Sequence, residues 1–91
     1  MAYIVRTTNR FDKNLEKMKK RGFPMDVFRE VIKLLMVYGT VPSKYRPHKL
    51  TGCYAGKWEC HLRPDWLLIW DQNDTELTLL LIDTGTHSDL F

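Results

Sequence analysis

The C-terminal third of this 91-residue sequence contains no lysine or arginine. All 14 basic residues lie within residues 1–63, where five acids leave a charge of +9, whereas residues 64–91 carry six acids and a charge of −6, so the chain totals +3. This separation favours a basic surface that binds a polyanion such as nucleic acid, joined to an acidic region. Ordinary solvated helices would give similar counts, so charge alone leaves both interpretations open.

Long apolar runs and a secretion signal are also missing. No wholly apolar run exceeds five residues, whereas a membrane helix needs about 20. Arg6 follows the first few apolar residues too soon for a signal peptide. We therefore expect a cytoplasmic protein with no membrane partner. The length, with 44% hydrophobic residues, predicts one domain over residues 1–91 with its own core.

Cysteine is scarce, with only Cys53 and Cys60 present. A disulfide is not expected in a chain without a secretion signal. A zinc site that combines these cysteines with His48 and His61 is disfavoured, because Cys60 and His61 are adjacent and neighbouring side chains on a strand point to opposite faces. We expect no metal and no cofactor, and we expect Cys60 to be a small buried residue.

The hydrophobic pattern predicts one strand, two helices and then a run of strands. Apolar residues at helical spacing indicate a helix that ends at Gly22 and a second that ends at Gly39, where a left-handed cap is expected. The second apolar stripe extends to Tyr38. Strands are expected at 3–8, near Leu50, and at 57–62, 66–70 and 77–82, with turns at 63–64 and 71–75 and a break at 84–86. The fold class is α+β in the order β-α-α-β-β-β, with two helices packed on a mainly antiparallel twisted sheet.

Two of these elements carry polar faces. The first helix has a basic outer face formed by Lys13, Lys17, Lys20 and Arg21. On the strand at 57–62, alternation places Trp58, Cys60 and Leu62 on one face and Lys57, Glu59 and His61 on the other.

Three histidines lie outside the predicted helices, and none has an obvious packing role. His48 falls in a basic loop, His61 on a polar strand face and His87 on the C-terminal tail. Asp65 lies across the 63–64 turn from His61, where a carboxylate would orient the imidazole and favour its charged form. Surface or pH-sensing histidines would show the same spacing, so these residues alone leave a functional cluster as one of several alternatives.

The motifs of several enzyme classes are absent. The sequence has no Gly-rich phosphate loop and no Gly-x-Ser-x-Gly elbow, and the basic region has too few carboxylates for an acid-cluster metal nuclease. RNA carries its own nucleophile, the 2′-hydroxyl, so its cleavage needs only a proton acceptor, a proton donor and a cation for the phosphorane. Histidines with Lys or Arg can supply these groups. Tyr45, Trp66 and Phe91 could stack on bases, although a core position suits Trp66 equally well.

Three segments resemble the YafQ-type toxins of the RelE/ParE superfamily: 58–70, 84–91, and His48-Lys49-Leu50 followed by Gly52. The resemblance covers the length and element order of the whole chain. It implies a small RelE-like domain and a type II toxin that enters the ribosomal A site and cleaves translated mRNA without a metal. The products would carry a 2′,3′-cyclic phosphate and a 5′-hydroxyl. A cognate antitoxin is also implied, and the charge suggests that its acidic or amphipathic segment covers the basic surface.

The resemblance also implies roles for individual residues. His48, His61, Asp65 and His87 match the family's acid–base positions, with His87 as general acid and His48 as candidate base. His61 with Asp65 would orient the 2′-hydroxyl or stabilise charge. Trp66 and Phe91 match positions that shape the site or contact the nucleotide.

The sequence departs from the family pattern at Asp83, where family members commonly carry arginine. An arginine there would hold the scissile phosphate, whereas an aspartate would repel it. Either Lys49, Lys57 or Arg63 supplies the cation instead, or this toxin is weaker or differently tuned. Two other functions stay open, namely a toxin of the same fold that inhibits DNA gyrase and an inert module that binds RNA or the ribosome.

Overall fold

The computed structural model describes residues 2–91 as a five-stranded sheet with helices packed on one face. The strands are β1 (Ile4–Thr7), β2 (His48–Lys49), β3 (Trp58–Arg63), β4 (Trp66–Asn73) and β5 (Thr78–Gly85), and the helices are α1 (Asn9–Lys20), α2 (Met25–Tyr38) and α3 (His87–Leu90). The strand order is β1-β5-β4-β3-β2, with β1 parallel to β5 and all other pairs antiparallel. The predicted α+β class is confirmed, although four strands rather than three follow the two long helices, with β2 as the short edge strand, and the short helix α3 follows β5.

Local signals explain where the two long helices begin and end. The Thr8 hydroxyl accepts the backbone N–H of Phe11 at 3.0 Å and so caps α1. Gly39 ends α2 with a φ of 69°, the left-handed conformation that was predicted. A Cβ at Gly39 would lie 2.6 Å from the Tyr3 hydroxyl oxygen, so space as well as conformation requires glycine there.

The core lies between the helices and one face of the sheet. Phe11 and Met18 of α1 and Val31 and Leu35 of α2 are fully or almost fully buried. Burial of each such side chain contributes about 1.5–3 kcal/mol. They pack with alternate strand residues of the same cluster, Cys60, Leu62, Trp66, Leu68, Trp70, Leu79 and Leu81.

The central strand β4 is buried on both of its faces. Leu67 and Ile69 alternate with the core residues of β4, yet they too are 0% exposed. The continuous apolar run at 66–70 predicted such a strand, because a strand with one face in water shows alternation.

The last two strands are longer than the sequence predicted. The turn expected at 71–75 is wrong, since β4 continues to Asn73 and pairs with β5 from Thr78. The chain turns at 74–77 because the Asn73 side chain accepts the N–H groups of Thr75 and Glu76. The break expected at 84–86 is also wrong at its start, since β5 extends to Gly85.

Three further expectations concern single residues. Tyr38 was placed in the apolar stripe of α2 but is 70% exposed, because the stripe turns to solvent where the helix ends. Cys60 is buried as predicted, and burial, with a smaller effect of Glu59, raises the pKa of its thiol to about 12. Within residues 2–91, no three His, Cys, Asp or Glu side chains are grouped so as to hold a metal ion, and no helix is long and apolar enough to cross a membrane.

Candidate active site

The three histidines form a row with His61 in the middle. The centroid of the His61 ring lies 6.2 Å from that of His48 and 5.8 Å from that of His87. Strand register creates the first contact, because His48 of β2 lies opposite Glu59 of β3 and His61 follows on the same face. The second arises because Leu67 of β4 pairs with both His61 and Gly85, and α3 begins two residues after Gly85.

Asp65 holds His87 through one carboxylate oxygen. Oδ1 of Asp65 accepts the backbone N–H of His87 at 3.2 Å and lies 3.1 Å from its ring Nδ1. These two hydrogen bonds, the backbone one first, lower the pKa of Asp65. An ionised carboxylate only accepts, so this contact places a proton on Nδ1 and leaves Nε2 for proton transfer to a substrate. The expected pairing of Asp65 with His61 is wrong, because the carboxylate contacts His87 instead.

The carboxylate beside His61 belongs to Glu59, which the sequence interpretation did not select. Glu59 is 4% exposed, and its Oε1 lies 3.1 Å from Nε2 of His48 and 3.9 Å from Nε2 of His61. The alternation at 57–62 did place Glu59 on the face of His61. Glu59 is buried because β2 pairs with β3. The residues of the loop at 50–57 do not predict that pairing.

The helix that carries His87 is anchored at both ends of its single turn. Thr86 and Asp89 form a capping box, and Oδ2 of Asp89 also accepts a bond from Nη1 of Arg21 at 2.8 Å. The Thr86 N–H and then Arg21 lower the pKa of Asp89 from 3.8 to about 2. A Cβ on Gly85 would lie 2.8 Å from Cβ of Asp89, so only glycine allows this close approach.

The aromatic residues that are candidates for stacking on bases differ in their exposure to solvent. Trp66 is 0% exposed and donates its ring N–H to the Thr84 hydroxyl at 2.9 Å, so it cannot offer a face to a base, and direct nucleotide contact by Trp66 is wrong. Tyr45 is buried as well. Phe91 is 66% exposed and lies edge-on to Tyr54, with centroids 6.1 Å apart. Tyr54 is thus a second candidate stacking residue that the sequence interpretation missed.

The candidate cationic side chains differ in whether they already contact another group of the protein. Nζ of Lys57 lies 3.2 Å from Asp71, and Nζ of Lys49 lies 5.6 Å from the centroid of the Trp58 ring. Arg63 is exposed and lines an open cavity of about 420 Å³ beside His61. Arg46 lines the same cavity and was not singled out, although it belongs to the basic loop.

Asp83 does not face a substrate. The residue is 2% exposed, and its Oδ1 accepts bonds from the Asn14 side chain at 2.6 Å and from the Thr84 N–H at 2.8 Å. Arg10 of α1 lies 3.5 Å from Oδ2. The expectation that Asp83 repels the scissile phosphate is therefore wrong, because its charge is directed toward α1 and neutralised there.

Comparisons with known proteins agree with this fold over the whole chain. The model of a family described as "Bacterial toxin of type II toxin-antitoxin system, YafQ" matches residues 3–91. The chain belongs to the YafQ family. The mRNA interferase toxin YafQ of Escherichia coli K12 is 31% identical over 86 residues, which cover 92% of this chain and 90% of that protein.

Solved structures of related toxins superpose closely. YafQ in the E. coli DinJ-YafQ toxin-antitoxin complex matches with a TM-score of 0.89 and 28% identity, over 100% of this chain and 99% of that one. A metal-bound toxin from Helicobacter pylori matches with a TM-score of 0.88 and 36% identity over 100% of both chains. The chain therefore has the fold of these toxin structures over its whole length.

Proposed function

We propose that this protein is the toxin of a type II toxin–antitoxin system and cleaves translated mRNA in the ribosomal A site. The toxin class follows from membership of the YafQ family, and its relatives in E. coli are named mRNA interferases, which are endoribonucleases. The observation that supports catalysis by this chain is the row of His48, His61 and His87, with Asp65 bound to His87.

The proposed reaction uses the 2′-hydroxyl of the RNA as the nucleophile. His48 or His61 accepts the 2′-hydroxyl proton while the 2′ oxygen forms a bond to phosphorus. The bond from phosphorus to the 5′ oxygen breaks, and protonated His87 donates a proton from Nε2 to that leaving oxygen. The products are a 2′,3′-cyclic phosphate and a 5′-hydroxyl. Asp65 keeps the His87 ring oriented, because its Oδ1 lies 3.1 Å from Nδ1 of that ring.

Arginines beside His61 are the best candidates to stabilise the phosphorane. Arg63 and Arg46 line the cavity next to His61, and a guanidinium can contact two phosphate oxygens at once. Lys49 is a further candidate at the edge strand, whereas Lys57 is occupied by Asp71. Phe91 and Tyr54 are proposed to stack on the bases that flank the cut, because both lie near the end of α3 and Phe91 is largely exposed.

The proposed partners are the ribosome, its mRNA and a cognate antitoxin. A related YafQ structure is that of a toxin–antitoxin complex with DinJ. We expect the antitoxin of this protein to cover the basic surface with acidic or amphipathic segments, and we place the protein in the cytoplasm, where translation occurs.

Cleavage of mRNA on programmed ribosomes tests this function. We expect cuts in translated mRNA with 2′,3′-cyclic phosphate ends, and no cuts when ribosomes are omitted. His87→Ala should lower the single-turnover rate about 100-fold or more, because a positioned general acid contributes about 10²–10⁴-fold. Glu76→Gln, at an exposed turn, is the matched control and should cleave at the wild-type rate. Wild-type cleavage by His87→Ala would contradict the proposed role of His87.

The two alternatives predict different results in induced cells. A gyrase inhibitor would leave mRNA intact in primer extension and would cause DNA breaks to accumulate. An inert binding module would stop growth equally well as the wild-type protein and as His87→Ala, without cleavage by either.

A further inference from the structure

A buried carboxylate, Glu59, lies between two of the three histidines. The cross-strand pair of His48 and Glu59 places both side chains on one face, and His61 follows two residues along β3. Only 4% of Glu59 is exposed, and its second oxygen, Oε2, has no hydrogen-bond partner among the described residues. A buried charge with an unpaired oxygen destabilises a fold, so packing alone does not explain a glutamate at this position.

Both ring nitrogens of His48 face oxygen atoms. Nε2 lies 3.1 Å from the Glu59 carboxylate, and Nδ1 lies 2.9 Å from the backbone carbonyl oxygen of Arg46. When Glu59 is ionised, the carbonyl oxygen and the carboxylate oxygen can only accept, and both contacts are satisfied only by an imidazolium, whereas a protonated Glu59 would donate to a neutral ring. The backbone of Arg46 is in the left-handed conformation, with a φ of 53°, and this conformation orients its carbonyl group.

His61 has the opposite environment. Its Nε2 lies 3.9 Å from Glu59, beyond hydrogen-bond distance, and its Nδ1 is buried without a partner among residues 2–91. No acceptor therefore requires a second proton on this ring. The titratable and charged groups around it are His48 of β2, Glu59 on β3, His87 of α3, and four residues that line the adjoining cavity, Glu30, Lys44, Arg46 and Arg63.

We propose that Glu59 is a positioning residue that keeps His48 doubly protonated and so leaves His61 as the proton acceptor for the 2′-hydroxyl. His48 then contributes positive charge beside the phosphate, and Glu59 stabilises the imidazolium that forms on His61 during the reaction. The kinetic part of this inference rests on the proposed endoribonuclease function, whereas the protonation of His48 does not.

NMR of the histidine ring nitrogens in the full free chain tests the protonation directly. At pH 7 we expect protons on both ring nitrogens of His48 in the wild type. The doubly protonated fraction should fall several-fold in Glu59→Gln, which keeps the shape and removes the charge. Glu59→Asp should restore part of that fraction, and Glu76→Gln should behave as the wild type. A neutral His48 in the wild type, or the same fraction in Glu59→Gln, would overturn the inference whether or not the protein cleaves RNA.

Kinetics and stability separate a positioning role from a structural one. Glu59→Gln should melt at the wild-type temperature or above, because it removes a buried charge, and yet it should cleave more slowly. The rising limb of its pH–rate profile should move to lower pH by about one unit, because the charge that favours protonated histidine is gone. A slower variant with an unshifted limb and a lower melting temperature would show that Glu59 only supports the fold.

Discussion

At the scale of single residues, Asp65 connects the β3–β4 turn to the histidine that begins α3. Its Oδ1 contacts both the backbone and the ring of His87, and both groups are exposed to solvent. These contacts lower the pKa of Asp65, so the carboxylate stays ionised through neutral pH and loses His87 only as the pH falls below the usual range of an aspartate. The pair is therefore intact at any pH at which cells translate.

Asp65→Asn tests what this charge contributes to catalysis. The amide keeps the shape and can accept the His87 N–H, but it removes the carboxylate charge that contacts Nδ1 of the general acid, so we expect the cleavage rate to fall about 10-fold or more. Single-turnover cleavage on programmed ribosomes measures the effect. Asp71→Asn is the control, because it also removes an exposed carboxylate from an ion pair. Equal rates for the two variants would contradict a role for the Asp65 charge.

Residue type and local pattern predicted the histidines and Asp65, but not their pairing. The sequence placed Asp65 next to His61 across a tight turn, whereas a strand register shift between His61 and Arg63 and the return of α3 bring His87 to it instead. The roles of Glu59 and Trp66 could not be predicted from the sequence for the same reason. Their roles depend on burial, and burial depends on contacts between residues far apart in sequence.

At the scale of elements, the four-residue helix α3 decides where His87 lies. A helix this short is not stable by itself, so its position comes from the capping box, from Gly85 and from the bond between Asp89 and Arg21 at the C-terminal end of α1. The sequence predicted only a short tail here. The capping box was readable as Thr86 followed three residues later by Asp89, but the bond to Arg21 joins residues 68 positions apart.

Arg21→Gln should loosen α3 without disturbing the core. The Arg21 side chain is about half exposed, so we expect little change in melting temperature but a slower cleavage rate and faster amide exchange at 87–91. The pKa of Asp89 should rise from about 2 toward 3.8, which NMR titration of its carboxyl can follow. Lys33→Gln, which removes an exposed charge from α2, is the control.

The pH dependence of this anchor has a defined direction. Because the folded pKa of Asp89 is depressed, its contribution to stability is present above pH 3.8 and is lost as the pH falls toward 2. Amide exchange at 87–91 that stays constant through this range in the wild type would contradict the anchor.

At the scale of the whole molecule, some of the basic residues that the sequence concentrates in its first two-thirds lie together on one surface. Arg10, Lys13, Lys17 and Arg21 line an open cavity of about 550 Å³ between α1 and α3, which we name the basic groove. Asp89 also lines the groove, and it lies two residues after His87 on α3. Lys13, Lys17 and Arg21 of the predicted basic face of α1 line the groove, whereas Lys20 does not, and the sequence did not predict that Arg21 also anchors α3.

Salt dependence of ribosome binding tests whether the basic groove binds phosphates. Arg21 is left intact, because its removal would also disturb α3. We expect Lys13→Gln/Lys17→Gln to weaken binding and to lower the slope of log affinity against log salt by about two, roughly one for each phosphate that the variant no longer neutralises. Arg29→Gln/Lys33→Gln removes the same charge from the exposed face of α2 and should lower the slope far less. Equal slopes for the two double variants would mean that net charge, rather than the groove, attracts the ribosome.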